Sequence, residues 1–121
     1  MPQLKINLET NVPSVNHYCV TTISKQGKVL RFPSKQSNSF KKLVKDAFSQ
    51  AYPDHAPVDC DVEVVLNLGF KTPQTHDVDN YGKVPLDALT GVAYKDDKQI
   101  ISFTAKKFRA EKNSIEIQIN Y

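Results

Sequence analysis

Residues 40–70, "FKKLVKDAFSQAYPDHAPVDCDVEVVLNLGF", change their hydrophobic period part-way, and that change decides the kind of fold the chain can adopt. In the first half Phe40, Leu43, Val44, Ala47, Phe48 and Ala51 recur at i, i+3, i+4, i+7, i+8 and i+11. This is the stripe of an amphipathic helix, which Pro53 must end. Lys41, Lys42 and Lys45 fall on its polar side. In the second half Val58, Cys60, Val62, Val64, Leu66, Leu68 and Phe70 share one face, with Asp59, Asp61 and Glu63 on the other. That is the period of a strand. A helix and a long strand in succession exclude an all-α or all-β domain.

Upstream, "LKINLE" alternates with Leu4, Ile6 and Leu8 on one side, a half-buried strand broken by Pro13. "YCVTTISKQGKVLRF" then reads as a hairpin around Lys25-Gln26-Gly27-Lys28, and Ser34, Ser37 and Ser39 offer helix N-caps. Downstream, "KTPQTH" is a loop. Asp79 or Asn80 is suited to cap a short helix reaching about Leu89, which Pro85 makes start late or bend. "TGVAYKDDKQ" is a turn-rich connection, and "IISFTAKKF" with "SIEIQINY" reads as a closing hairpin around "AEKN", with Ile115, Ile117 and Ile119 inward. The order predicts an α+β fold: a mostly antiparallel mixed sheet with two helices packed on it.

The chain has 121 residues, 40% of them apolar and 24% charged, so residues 1–121 are expected to form a single soluble domain. No apolar run approaches the ~18 residues of a membrane span, and "MPQLKINLET" lacks a secretory pattern. Cys19 and Cys60 form no CxxC pair, which argues against zinc and fits a cytoplasmic protein with reduced thiols. The net charge of +3 conceals an asymmetry. Residues 10–45 hold seven basic residues and no acid, whereas residues 54–97 hold nine acids against Lys71, Lys83 and Lys95. A basic exterior around an acidic centre suits a polyanion outside and cations within; a solvated basic face accounts for the charge equally well.

The acidic centre is "THDVDNYGKVPLDALTGVAYKDDKQI", where Asp77, Asp79, Asp87, Asp96 and Asp97 fall within twenty-one residues together with Lys83. Asp77 and Asp79, two apart at the end of an extended segment, point the same way. Lys83 and Asp87 follow Asp79 at i+4 and i+8 on one helical face. Such a concentration of hard oxygen ligands suits Mg²⁺ or Mn²⁺. Two such ions about 4 Å apart activate water and stabilise a leaving oxygen. Aspartates also serve solubility, turns and caps, and Asp96-Asp97 fits that use. Two sharper motifs fail. An EF-hand loop from Asp77 would put Ala88 where a bidentate Glu belongs. An aspartyl-phosphate phosphatase would need an apolar strand where "KTPQTH" stands.

"DVDNYGKVPLDALTGVAYKDDKQI" resembles the central motif of the RusA family of Holliday-junction resolvases: D-x-D-N, then Lys, then D-A-L, then a D-D pair before an apolar strand. "VPSVNHY" is similar to the family's early segment. The resemblance implies a homodimeric, Mg²⁺-dependent endodeoxyribonuclease, with Mn²⁺ as a substitute and no nucleotide cofactor. Its implied role is to resolve four-way junctions by paired symmetrical nicks in DNA recombination and repair. Carried over by position, Asp77, Asp79 and Asp97 are the metal-holding catalytic carboxylates and Lys83 is the essential lysine. Asp96, Asp87 and Asn80 stand beside them, Asn80 capping the helix. Lys28, Arg31, Lys41, Lys42 and Lys45, with Asn16 and His17 of the early segment, are the expected DNA contacts. The arginine run that some relatives carry before the first Asp is absent here. His76 in its place is expected to be solvated.

Two rivals remain at this point. One is a non-catalytic DNA-binding protein, and the other a metal-dependent nuclease for other branched or single-stranded DNA.

Overall fold

Ser34 opens the first helix. Its backbone is extended (φ −67°, ψ 157°) and its hydroxyl accepts from the Ser37 amide at 3.1 Å. In this computed structural model, α1 (Lys35–Ala51) therefore begins five residues before the stripe that announces it, with Ser37 and Ser39 inside rather than capping. The structure describes residues 2–15, 19–23 and 25–121, the strands at 19–23 and 29–33 by backbone alone. The other elements are β1 (Gln3–Leu8), β2 (Cys19–Ile23), β3 (Val29–Pro33), β4 (Val62–Phe70), α2 (Lys83–Leu89), β5 (Ile100–Arg109) and β6 (Ser114–Asn120).

β1, β6, β4 and β5 form one sheet in that order, and β2 pairs with β3 in a separate antiparallel ribbon. β6 runs antiparallel to both β1 and β4, while β5 runs parallel to β4. The α+β class and the mixed sheet stand, but the closing hairpin does not: β5 and β6 are not neighbours. The connection between them crosses the end of β4, where Ala110 N–H donates to the Phe70 carbonyl. Gly69 permits that crossing, because a Cβ there would lie 2.5 Å from Ser114 Oγ. Burial explains the order. Ile115, Ile117 and Ile119 are buried and need strands on both sides, whereas most of β5 is exposed and suits an edge.

Leu4, Ile6, Val62, Val64, Leu66 and Leu68 join the β6 isoleucines in one core, covered by Phe40, Val44 and Phe48 of α1 and by Val84, Ala88 and Leu89 of α2. Fully burying each such side chain contributes about 1.5–3 kcal/mol. Two sequence expectations shift here. Leu43, placed on the apolar stripe, is exposed. The strand of the opening stretch starts at Val62 rather than Val58; Cys60 is exposed, and Val58 instead makes a lone bridge to Tyr94. The β1 edge is covered, since Tyr52 Oη accepts from Lys5 N–H (2.8 Å) and donates to the Lys5 carbonyl (3.1 Å). No helix among the described residues is long and apolar enough to cross a membrane.

Candidate active site

The loop leaving β4 is held down before it reaches the first aspartate. His76 stacks on Phe70 with ring centroids 4.1 Å apart, and Tyr81 meets Phe70 edge-on at 5.2 Å. His76 Nδ1 lies 2.8 Å from the Thr72 carbonyl, which can only accept, so Nδ1 carries a proton. From β5, Lys107 Nζ donates to the Pro73 and His76 carbonyls at 2.8 and 2.7 Å. Arg109 donates to the Lys71 carbonyl. His76 is thus half-buried and structural, not solvated as expected.

Asp77 follows at once. It begins a short 3-10 turn, Val78–Tyr81, and its carboxylate makes no capping hydrogen bond. The Tyr81 phenol is pushed above its ordinary pKa, first by burial and then by the Asp77 charge. Asp79 lies inside the turn. The two aspartates are both exposed, but they do not share an extended segment as expected.

α2 starts late, as Pro85 requires. Gly82 precedes it, and Pro85 is the third helical residue, where a missing N–H leaves no bond unmade. Neither Asp79 nor Asn80 is the cap. Gly82 passes so close to Phe103 of β5 that a Cβ would lie 2.8 Å from the ring. The break separates Asp79 from the helical face of Lys83 and Asp87, which pair across one turn at 3.3 Å. The Asp87 side chain is 20% exposed and that of Lys83 54%.

The third carboxylate arrives through Tyr94. This fully buried residue donates its hydroxyl to the Leu86 carbonyl at 2.8 Å, tying the connection after α2 back onto the helix. Burial raises its pKa far above that of a free phenol, and the charges of Asp97 and Asp87 add to the effect. Asp96 caps a 3-10 turn, Asp97–Gln99, accepting from the Lys98 amide at 3.0 Å. That bond, then a hydrogen bond with the Asp97 side chain, holds Asp96 below the usual carboxylate range.

The donors fit a hard dication, since all are carboxylate oxygens. Among the described residues no three His, Cys, Asp or Glu side chains stand together as a ready cage. Mg²⁺ needs no such cage, since one or two carboxylates, substrate phosphates and water commonly complete its shell.

Of the expected DNA contacts, Lys28, Lys42 and Lys45 are exposed and Lys41 is half-buried. Lys42 pairs with Asp46 at 2.9 Å. Asn16, His17 and the Arg31 side chain lie outside the described residues. Sequence reasoning passed over three residues that shape the site: Lys107, Tyr94 and Gln99. Only Gln99 carried a signal, the D-x-x-Q spacing of a capping box from Asp96.

Residues 10–120, nearly the whole chain, match the family described as Endodeoxyribonuclease RusA. The chain belongs to the RusA endodeoxyribonuclease family. It is also 34% identical over 116 residues to a Bacillus subtilis (strain 168) protein named Uncharacterized protein YqaN, covering 78% of this chain and 81% of that one. The RusA family is one of DNA-cutting nucleases that resolve Holliday junctions, so this chain is a nuclease of that class and branched DNA is its substrate type.

Proposed function

We propose that the protein resolves four-way DNA junctions by Mg²⁺-dependent, paired, symmetrical nicking as a homodimer, in DNA recombination and repair. The observation that carries the reading is the match of residues 10–120 to this nuclease family, on a chain that exposes Asp77 and Asp79 on the turn entering the helix of Lys83 and Asp87.

Asp77, Asp79 and Asp97 would hold the cation; Mg²⁺, or Mn²⁺ in its place, would supply positive charge beside the phosphoryl group and activate the attacking water. Lys83, aimed by its pairing with Asp87, places a fixed charge where negative charge develops. Lys28, Lys41, Lys42 and Lys45, with Arg31, Asn16 and His17, take backbone phosphates, so binding is salt-dependent and largely blind to sequence.

Paired nicks need two active sites related by a two-fold axis. The β5 edge supports such a pairing. Ile101, Phe103 and Phe108 are exposed on it, at 63, 42 and 48%. Residues 100–105 carry no charge, while Lys106, Lys107 and Arg109 gather at one end. Antiparallel pairing of residues 100–105 with a second copy covers the apolar edge and sends the basic ends in opposite directions.

Asp79→Asn tests the reading. It should abolish nicking of a mobile junction and leave junction binding equal or tighter, because it removes a cation ligand and a charge that repels DNA. The parental enzyme should cut with Mg²⁺ or Mn²⁺ and stop with chelator. Cutting that survives Asp79→Asn, or binding lost in step with cutting, overturns the assignment. Equal cleavage of flaps or single strands would make it a nuclease of broader range.

A further inference from the structure

We propose that Gln99 is the positioning residue of this centre: its side-chain amide fastens the Asp96–Asp97 segment to the chain ahead of β4, and so fixes Asp97 for cation binding. The inference rests on the nuclease reading above. Gln99 Oε1 accepts from the Lys95 and Asp96 amides at 2.9 and 2.8 Å. Its Nε2 donates to the Val58 and Cys60 carbonyls at 2.8 and 2.7 Å. A neutral amide has two donor hydrogens and two acceptor lone pairs, and here all four are used.

The arrangement explains features that the core does not. Val58 leaves the line of β4 to bridge Tyr94, and the Lys95 amide also donates to the Val58 carbonyl at 3.1 Å. The segment 58–60 thus serves as a fixed rail beside the site. Gln99 clips residues 95–96 to that rail, and Asp97 is the next residue along. Just beyond, β5 enters its pairing with β4 through an irregularity: Val62 faces Ile100 and Glu63 faces Ser102, with Ile101 unmatched. Sheet register does not set the Asp97 position directly across such a bulge, so the amide clip has that task.

The clip demands an amide of this length. Glutamate would turn an acceptor oxygen towards two carbonyls and add a charge beside Asp96 and Asp97. Leucine keeps the bulk and removes all four bonds. Residues that orient ligands rather than bind the cation typically cost about 10–100-fold in affinity or rate when replaced.

The experiment compares the full-length parent, Gln99→Leu, Gln99→Glu and Asp97→Asn. Mn²⁺ affinity is read by paramagnetic resonance without DNA, and single-turnover junction cleavage is followed across a Mg²⁺ series. Junction affinity is measured in chelator, and folding by circular dichroism and thermal midpoint. Both Gln99 variants should bind Mn²⁺ at least ten-fold more weakly and need correspondingly more Mg²⁺, with cleavage largely recovered at saturating Mg²⁺. Junction affinity should stay within two-fold. Folded variants with parental Mn²⁺ affinity and Mg²⁺ dependence overturn the inference, as does a rate loss that no Mg²⁺ concentration repairs. Failure of both variants to fold also overturns it, because the clip would then serve the fold. Asp97→Asn separates the two readings: if it cuts normally, the nuclease site itself is misassigned. If it is inactive while Gln99→Leu behaves as the parent, only the role of Gln99 falls.

Discussion

The imidazole of His76 lies flat on the ring of Phe70, with the planes 9° apart and the centroids separated by 4.1 Å. The stack fixes the residue immediately before Asp77, while Lys107 grips the same residue's carbonyl. Aromatic pairs of this kind contribute about 0.5–1.5 kcal/mol beyond area burial. His76→Ala should therefore lower stability by about 1 kcal/mol in urea titration. It should also slow junction cleavage by about ten-fold while leaving junction affinity in chelator within two-fold. A loss of affinity as large as the loss of rate would mean that His76 touches DNA rather than aiming Asp77.

Lys83 and Asp87 form a partly exposed pair one helical turn apart, worth only about 0.3–0.5 kcal/mol to the fold. The value of the pair lies in where it holds the ammonium. Lys83→Met should reduce single-turnover cleavage by about 10²–10³-fold, the loss typical when one donor to a developing anion is removed. Its thermal midpoint should stay close to the parent's. Asp87→Asn should give a smaller rate loss, since Lys83 keeps its charge and loses only its orientation.

The local rules in this sequence read well, and the long-range ones do not. The period switch between Phe48 and Val62 announced α1 and β4, and the alternating isoleucines announced β6. What failed was the choice of strand partners. A four-residue connection such as 110–113 reads as a hairpin from its length. The partner was decided instead by where Ile115, Ile117 and Ile119 could be buried on both sides. The acidic motif marks the aspartates as candidates because its spacing is chemical, yet it gave Asp77 and Asp79 the wrong shared geometry. A 3-10 turn between Asp77 and Gly82 depends on Phe103 packing against a residue that lacks a Cβ, a contact distant in sequence. Lys107 likewise gave no local sign that it would anchor the loop.

Tyr94 makes stability depend on alkaline pH. Burial raises its folded-state pKa above that of the unfolded phenol, so the stabilisation from the neutral hydroxyl is complete below about pH 10 and is lost as pH rises towards the folded value. At neutral pH Tyr94→Phe should cost about 0.5–1.5 kcal/mol, the hydrogen bond to the Leu86 carbonyl. Above pH 10 the gap between parent and variant should narrow, as the parent alone bears the cost of a buried phenol that must ionise on unfolding. Urea titrations at pH 7, 9 and 10.5 measure both halves; a gap that widens with pH would contradict the assignment.

The exposed edge of β5 sets the last expectation. Ile101 is 63% exposed within the uncharged half of the strand, so a carboxylate there would be set against the partner's apolar edge in an antiparallel pairing. Burying a charge without a partner in such an interface is costly. Ile101→Asp should therefore convert a dimeric parent to a monomer in sedimentation equilibrium, with the circular dichroism spectrum retained because this side chain lies outside the core. The consequence for cutting is specific. On a supercoiled plasmid bearing a cruciform, the dimer nicks both strands within one binding event and yields linear product directly. The monomeric variant should release nicked circles first and linear DNA only later. A parent that is monomeric at micromolar concentration would remove the paired-strand interface while leaving the carboxylate site to stand on its own test.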